Sequence, residues 1–86
     1  MNITIYSTRS CAYCYALKSW LDGKSVKYTE YLVDDNPIAA QNMVRLSGQM
    51  GVPFSTVEFD DGKQLNILGF DRPKFEFALT RQNKNG

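Results

Sequence analysis

The chain of 86 residues carries a formal net charge of +1, with 43% apolar and 22% charged residues. That length suits one domain over 1–86 with a modest core, and that balance excludes a disordered tail. No apolar run approaches the roughly 20 residues that span a bilayer, and near-neutral charge excludes the clustered basic surface of a general nucleic-acid binder.

In chain order, "NITIYS" (2–7) alternates Ile3 and Ile5 with polar residues and predicts a strand. The N-terminus lacks the basic-then-apolar order of a secretory signal, so a cytoplasmic setting is the default expectation. "TRS" breaks the strand and offers Thr8 and Ser10 as capping hydroxyls. From Ala12 the period becomes helical: Tyr13, Leu17, Trp20 and Leu21 share a face, and Gly23 is expected as the C-terminal cap. "SVKYTEYLV" (25–33) predicts a second strand, and "DDNP" opens a second helix with Pro37 in its first turn. Ala39, Met43 and Leu46 form the expected buried stripe of that helix, which Gly48 closes. "FSTVEF" (54–59) and "KQLNIL" (63–68) flank "DDG", a hairpin signal. Asp71 reads as the N-cap of a third helix with Pro73 in its first turn and Phe75, Ala78 and Leu79 inward, and 81–86 reads as a frayed polar tail. The order β-α-β-α-β-β-α predicts an α/β domain with a right-handed parallel crossover followed by an antiparallel hairpin.

The chemistry concentrates in "SCAYC", which holds the chain's 2 cysteines, Cys11 and Cys14, at the start of the first helix. Residues 1–21 contain Arg9 and Lys18 but no acid, a setting that favours thiolate over thiol. A closed zinc centre within the chain is disfavoured because there is no histidine and no third cysteine. A site shared between two chains, holding zinc or a [2Fe–2S] cluster, stays open. A structural staple has little leverage, because the loop it would close is tiny. Exchange chemistry fits the spacing: side chains three apart on a helix lie about 5–6 Å apart. Cys11 would face the positive helix end as the attacking thiolate, and the more shielded Cys14 would resolve the mixed disulfide. C-x-x-C between the strand and helix of a βαβ unit is a specific signal for that chemistry.

On "IYSTRSCAYC", "SVKYTEYLVDD", "LSGQMGVPF" and "LGFDRPKF", the chain resembles the glutaredoxins, small members of the thioredoxin fold, over about residues 2–80. The resemblance implies a four-stranded mixed sheet flanked by three helices, a cis Val52–Pro53 bond, and catalytic Cys11 and Cys14. It implies a glutathione site of Arg9, Tyr13, Val52, Pro53, Phe70 and Asp71, with glutathione as co-substrate, disulfide-containing proteins as substrates, no bound cofactor or metal, and a monomer. Tyr13 can equally cover the helix end, Arg9 can be a solvated charge, and Asp71 can serve as an N-cap alone.

The chain also departs from the family pattern. Ala12 stands where proline is usual, Met50 where a basic residue or glutamine is common, and Gly51 in place of a common threonine. Ser55 and Thr56 stand where apolar residues are typical. "GFDRP" is similar to the glutaredoxin-like redoxins that serve ribonucleotide reductase and are reduced by a flavin-dependent reductase instead of glutathione. That makes ribonucleotide reductase the alternative partner.

Overall fold

Two apolar rows, one on each side of an alternating strand, organise the domain. In the computed structural model, which describes residues 1–84, the elements are β1 (Asn2–Ser7), α1 (Ala12–Gly23), β2 (Thr29–Leu32), α2 (Pro37–Ser47), β3 (Phe54–Glu58), β4 (Gln64–Leu68) and α3 (Arg72–Lys84). The strands form one mixed sheet in the order β2-β1-β3-β4. β1 runs parallel to β2 and antiparallel to β3, and β4 is antiparallel to β3. This is the thioredoxin-like arrangement of one four-stranded sheet and three helices.

The period of two sends Ile3 and Ile5 to one face and Tyr6 to the other. On the first face Ile3, Ile5, Val57 and Ile67 pack with Leu17 and Leu21 of α1 and Phe75 and Ala78 of α3. On the second, Tyr6 and Phe54 pack with Ala39 and Met43 of α2. Helices α1 and α3 therefore cover one side of the sheet and α2 the other. The "DDG" segment turns β3 into β4, with Gly62 at φ +88°, a backbone conformation that glycine adopts without penalty.

Several local expectations are corrected. The inward stripe of α1 is Cys14, Leu17 and Leu21, all fully buried, while Tyr13 is 71% exposed. These positions are spaced by three and four like the expected set, but the small sulfur, not the phenol, occupies the first turn against the sheet. Gly23 is the last helical residue and not the cap: Lys24 takes the C-cap, and Ser25 adopts the positive φ. Residues 24–26 fold back on the helix end, with Val26 N–H donating to the Leu21 carbonyl at 3.0 Å. The second strand therefore starts at Thr29, not at 25. Leu46 is 39% exposed, because the apolar row that α2 covers, Tyr6 and Phe54, is already filled by Ala39 and Met43. Helix α3 runs to Lys84, into the span expected as a tail from 81, and Arg81 pairs with Asp61 at 2.6 Å. Residues 85 and 86 of that span lie outside the described residues.

Ser55 is fully buried, yet its Oγ has no hydrogen-bond partner among the described residues. It lies in the sheet row between Ile5 and Ile67. A buried hydroxyl without a partner costs roughly 1–3 kcal/mol of desolvation, so Ser55→Ala should stabilise the fold by about 1 kcal/mol. Urea unfolding followed by circular dichroism checks this; a lower midpoint for the variant would contradict it.

Candidate active site

The strand register gathers four loops at one end of the sheet. Ser7 ends β1 opposite Leu32, Tyr6 lies opposite Phe54, and Phe54 lies opposite Leu68. Residues 8–11, 33–36, 48–53 and 69–71 thus leave the same edge. Two backbone bonds tie them together: Val33 N–H to the Ser7 carbonyl at 2.9 Å and Gly69 N–H to the Pro53 carbonyl at 2.8 Å.

At this end Cys11 is itself the N-cap of α1. Its backbone is extended (φ −90°, ψ 109°), and its Sγ accepts from the Cys14 N–H at 3.1 Å. The hydroxyls of Thr8 and Ser10, expected as caps, do not fill this role. The sulfur stands where a capping oxygen ordinarily takes one of the helix's unsatisfied donors. Cys11 and Cys14 form a disulfide with Cα atoms 5.2 Å apart. Cys14 is fully buried and Cys11 half-buried. With no acidic residue in the first turn, the helix start presents an unopposed positive dipole end to Cys11.

The acid-free reading of residues 1–21 does not survive folding. Arg9 pairs through both terminal guanidinium nitrogens with Asp35, Nη1 to Oδ1 at 2.9 Å and Nη2 to Oδ2, and its backbone N–H donates to Asp34 Oδ2 at 3.2 Å. Lys18 Nζ meets Glu30 Oε2 at 2.6 Å, and Ser7 Oγ donates to the same oxygen at 2.5 Å. Burial alone would raise the Glu30 carboxyl. The hydrogen bonds from Lys18 and Ser7 and the Lys18 charge outweigh it and leave the group below its ordinary value. Both basic side chains of the stretch are neutralised by acids from β2 and the loop after it, so the backbone donors of α1 supply the local positive potential at Cys11.

The remaining expected residues share this end of the sheet, each with a visible structural partner or exposure. Tyr13 projects into solvent. The Val52–Pro53 bond is cis, Pro53 is buried and Val52 packs against the Tyr6–Phe54 cluster. Phe70 lies against Trp20, ring centroids 5.8 Å apart, and Asp71 caps α3 by accepting from the Lys74 N–H at 3.3 Å. Met50 is 75% exposed, and a Cβ on Gly51 would stand 2.6 Å from Gln49 Oε1, so the missing threonine makes room for that amide. Residues that sequence reasoning passed over are Asp34, Asp35, Glu30, Ser7 and Tyr15, whose hydroxyl donates to the Arg9 carbonyl at 2.9 Å. The signal for Asp34 was present in the parallel register: if Ser7 faces Leu32, Arg9 two residues on faces Asp34.

With this geometry in hand, the family model described as Glutaredoxin matches residues 3–56. Over 52 residues the chain is 35% identical to glutaredoxin 3 of Escherichia coli (strain K12), covering 60% of this chain and 63% of that one, so less than two thirds of that relative's length is matched. It is 32% identical over 79 residues, 92% of this chain and 99% of the other, to a glutaredoxin-like 8.6 kDa protein in the rubredoxin operon of Clostridium pasteurianum. Among solved structures, the glutaredoxin-like NrdH-redoxin of Escherichia coli superposes with a TM-score of 0.72 at 30% identity, covering 92% of this chain and 95% of that one.

The Glu30 site yields a pH prediction. A carboxyl lowered in the folded state adds stability that is fully present above its ordinary value of 4.5 and is lost as pH falls through the lowered folded value. Glu30→Gln should therefore cost about 1–2 kcal/mol at pH 7, and the difference from the parent should shrink as the pH is lowered below 4.5. Urea unfolding of both proteins across acidic pH checks the sign; a gap that widens on acidification would contradict it.

Proposed function

The chain belongs to the glutaredoxin family, and from that premise we propose that it is a dithiol oxidoreductase that reduces protein disulfides and glutathione mixed disulfides and is regenerated by glutathione. The observation that carries the reading is Cys11 at the N-cap of α1 with the Cys14 N–H directed at its sulfur. A donor in that position stabilises a thiolate, and the buried Cys14 is one turn behind it. The Cys11 thiolate attacks one sulfur of a substrate disulfide, forming a mixed disulfide and releasing the other sulfur as thiolate. Cys14 gives its proton to solvent and attacks the Cys11 sulfur. The Cys11–Cys14 disulfide forms, the second substrate thiolate leaves, and two electrons have passed to the substrate. Two glutathione thiols reverse the state of the pair: the first forms a mixed disulfide at Cys11, and the second releases oxidised glutathione.

Tyr13, Val52, Pro53, Phe70 and Asp71 are proposed to hold the tripeptide, with Arg9 toward its glycine carboxylate. The exposure of Tyr13 and the bond from Gly69 to Pro53, which draws the Phe70–Asp71 turn toward the Val52–Pro53 edge, support this assignment. A cytoplasmic monomer acting as a single domain completes the reading; among the described residues no helix is long and apolar enough to cross a membrane. A second reading, a redoxin reduced by a flavin-dependent thioredoxin reductase and serving ribonucleotide reductase, is favoured by the engagement of Arg9 with Asp35 and by the exposed methionine at position 50.

The two donors can be compared directly. With glutathione, its reductase and NADPH, the protein should turn over a glutathionylated peptide, and Cys11→Ser should lower that rate by more than about a hundredfold. Cys14→Ser should accumulate mixed disulfides on Cys11, visible by mass spectrometry, and lose turnover of protein disulfides. No turnover with glutathione, together with efficient reduction by thioredoxin reductase and NADPH, would replace the first reading with the second.

A further inference from the structure

Arg9 stands two residues before Cys11 and is the only basic side chain in residues 1–17. It lies in the loop between β1 and α1, at the same end of the sheet as the cysteines. The structure holds this residue in two separable ways. Its main chain is fixed by Asp34, which accepts from the N–H at 3.2 Å, and by Tyr15, whose hydroxyl donates to the carbonyl at 2.9 Å. Its guanidinium is held by Asp35 alone among the described residues, through the paired contacts of Nη1 and Nη2. A planar fork meeting a carboxylate in this way commits its terminal nitrogens and offsets its charge, so a second carboxylate gains less from the same guanidinium.

We propose that Asp35 is a specificity-determining residue: its carboxylate occupies the Arg9 guanidinium in place of the substrate's carboxylate and so selects against small thiols with an anionic tail, relative to neutral thiols. This rests on the reading of Arg9 as the contact for the glycine carboxylate of glutathione. Asp35 acts in two ways. It offsets the guanidinium charge and holds its terminal fork, so an incoming carboxylate pairs with Arg9 more weakly, and its own charge, next to that of Asp34, repels the same group. Neither effect acts on a thiol whose tail is uncharged. The Asp34 and Tyr15 bonds keep the Arg9 backbone in place, two residues before Cys11, when Asp35 is neutralised, and the guanidinium becomes available.

The size of the effect is bounded by exposure. The Arg9 side chain is 63% and the Asp35 side chain 46% exposed, so solvent screens the pair. An exposed ion pair shifts an equilibrium by at most about fivefold, and salt reduces that further.

The test is the second-order rate constant for reduction of the oxidised protein by thiols that differ only in tail charge. In the measured step a thiolate attacks the Cys11 sulfur, the Cys11–Cys14 bond breaks, and Cys14 leaves as a thiolate that takes a proton from solvent. The probes are glutathione and its glycine ethyl ester, read by mass spectrometry after acid quench. Asp35→Asn should raise the glutathione-to-ester rate ratio by about two- to fivefold at low salt, and the gain should fall in high salt. In an Arg9→Gln background the same substitution should change the ratio less. An unchanged ratio, or a gain that persists in full without Arg9, would overturn the proposal. The outcome is separable from the donor question: if glutathione supports no catalytic turnover but the ratio still moves, only the choice of physiological donor fails.

Discussion

A sulfur occupies the first hydrogen-bonding position of helix α1, and the geometry of the redox pair follows from that. An N-cap must be extended while the next residues are helical, which fixes where Cys11 leaves the loop and where the helix begins. Three residues later the helix turns Cys14 inward, onto the stripe that continues through Leu17 and Leu21 against Ile3, Ile5, Val57 and Ile67. The apolar packing that stabilises the domain is thus also what sets the depth of the second sulfur. One cysteine stays at the rim and the other goes under it, an asymmetry that thiol–disulfide exchange requires of an attacking and a resolving thiol.

The electrostatics of the site differ from the charge count along the chain. Both cations near the cysteines are paired with acids supplied by β2 and the loop after it. What faces the Cys11 sulfur is a backbone donor at the start of a helix with no acid in its first turn. A fixed dipole at contact distance is screened less by salt than exposed side-chain charges several ångströms away. The arrangement leaves thiolate stabilisation to the backbone and frees the side chains around the rim to select what approaches. Gln49 shows the same division at the loop before Pro53. Its amide both donates to and accepts from Gly51, holding that segment from within while Met50 points outward.

Much of the architecture was legible in the sequence because hydrophobic period reports burial directly. β1 ends and α1 begins where alternation gives way to helical spacing, and Gly48 and Gly62, expected at a helix stop and a hairpin, take left-handed positions. The reading failed where two solutions shared one period. Tyr13 and Cys14 both lie one turn before Leu17, and only packing against the sheet decides which turns inward. It also failed at Ser25, where a non-glycine residue takes a positive φ because the helix end folds back on itself. The capping sulfur was missed because propensity favours hydroxyls and carboxylates, which Thr8 and Ser10 offered. The Arg9–Asp35 contact spans 26 positions and depends on parallel strand register, which no local pattern encodes.

The most direct test of the account is the thiolate titration of the reduced Cys14→Ser protein, followed by ultraviolet absorbance at low and high salt. If the backbone donors of α1 stabilise the Cys11 thiolate, its midpoint should lie below about 8.5, the value of an unperturbed cysteine, and should move little with salt. A midpoint at or above that value, or one that returns to it in high salt, would contradict the claim that the helix start activates Cys11.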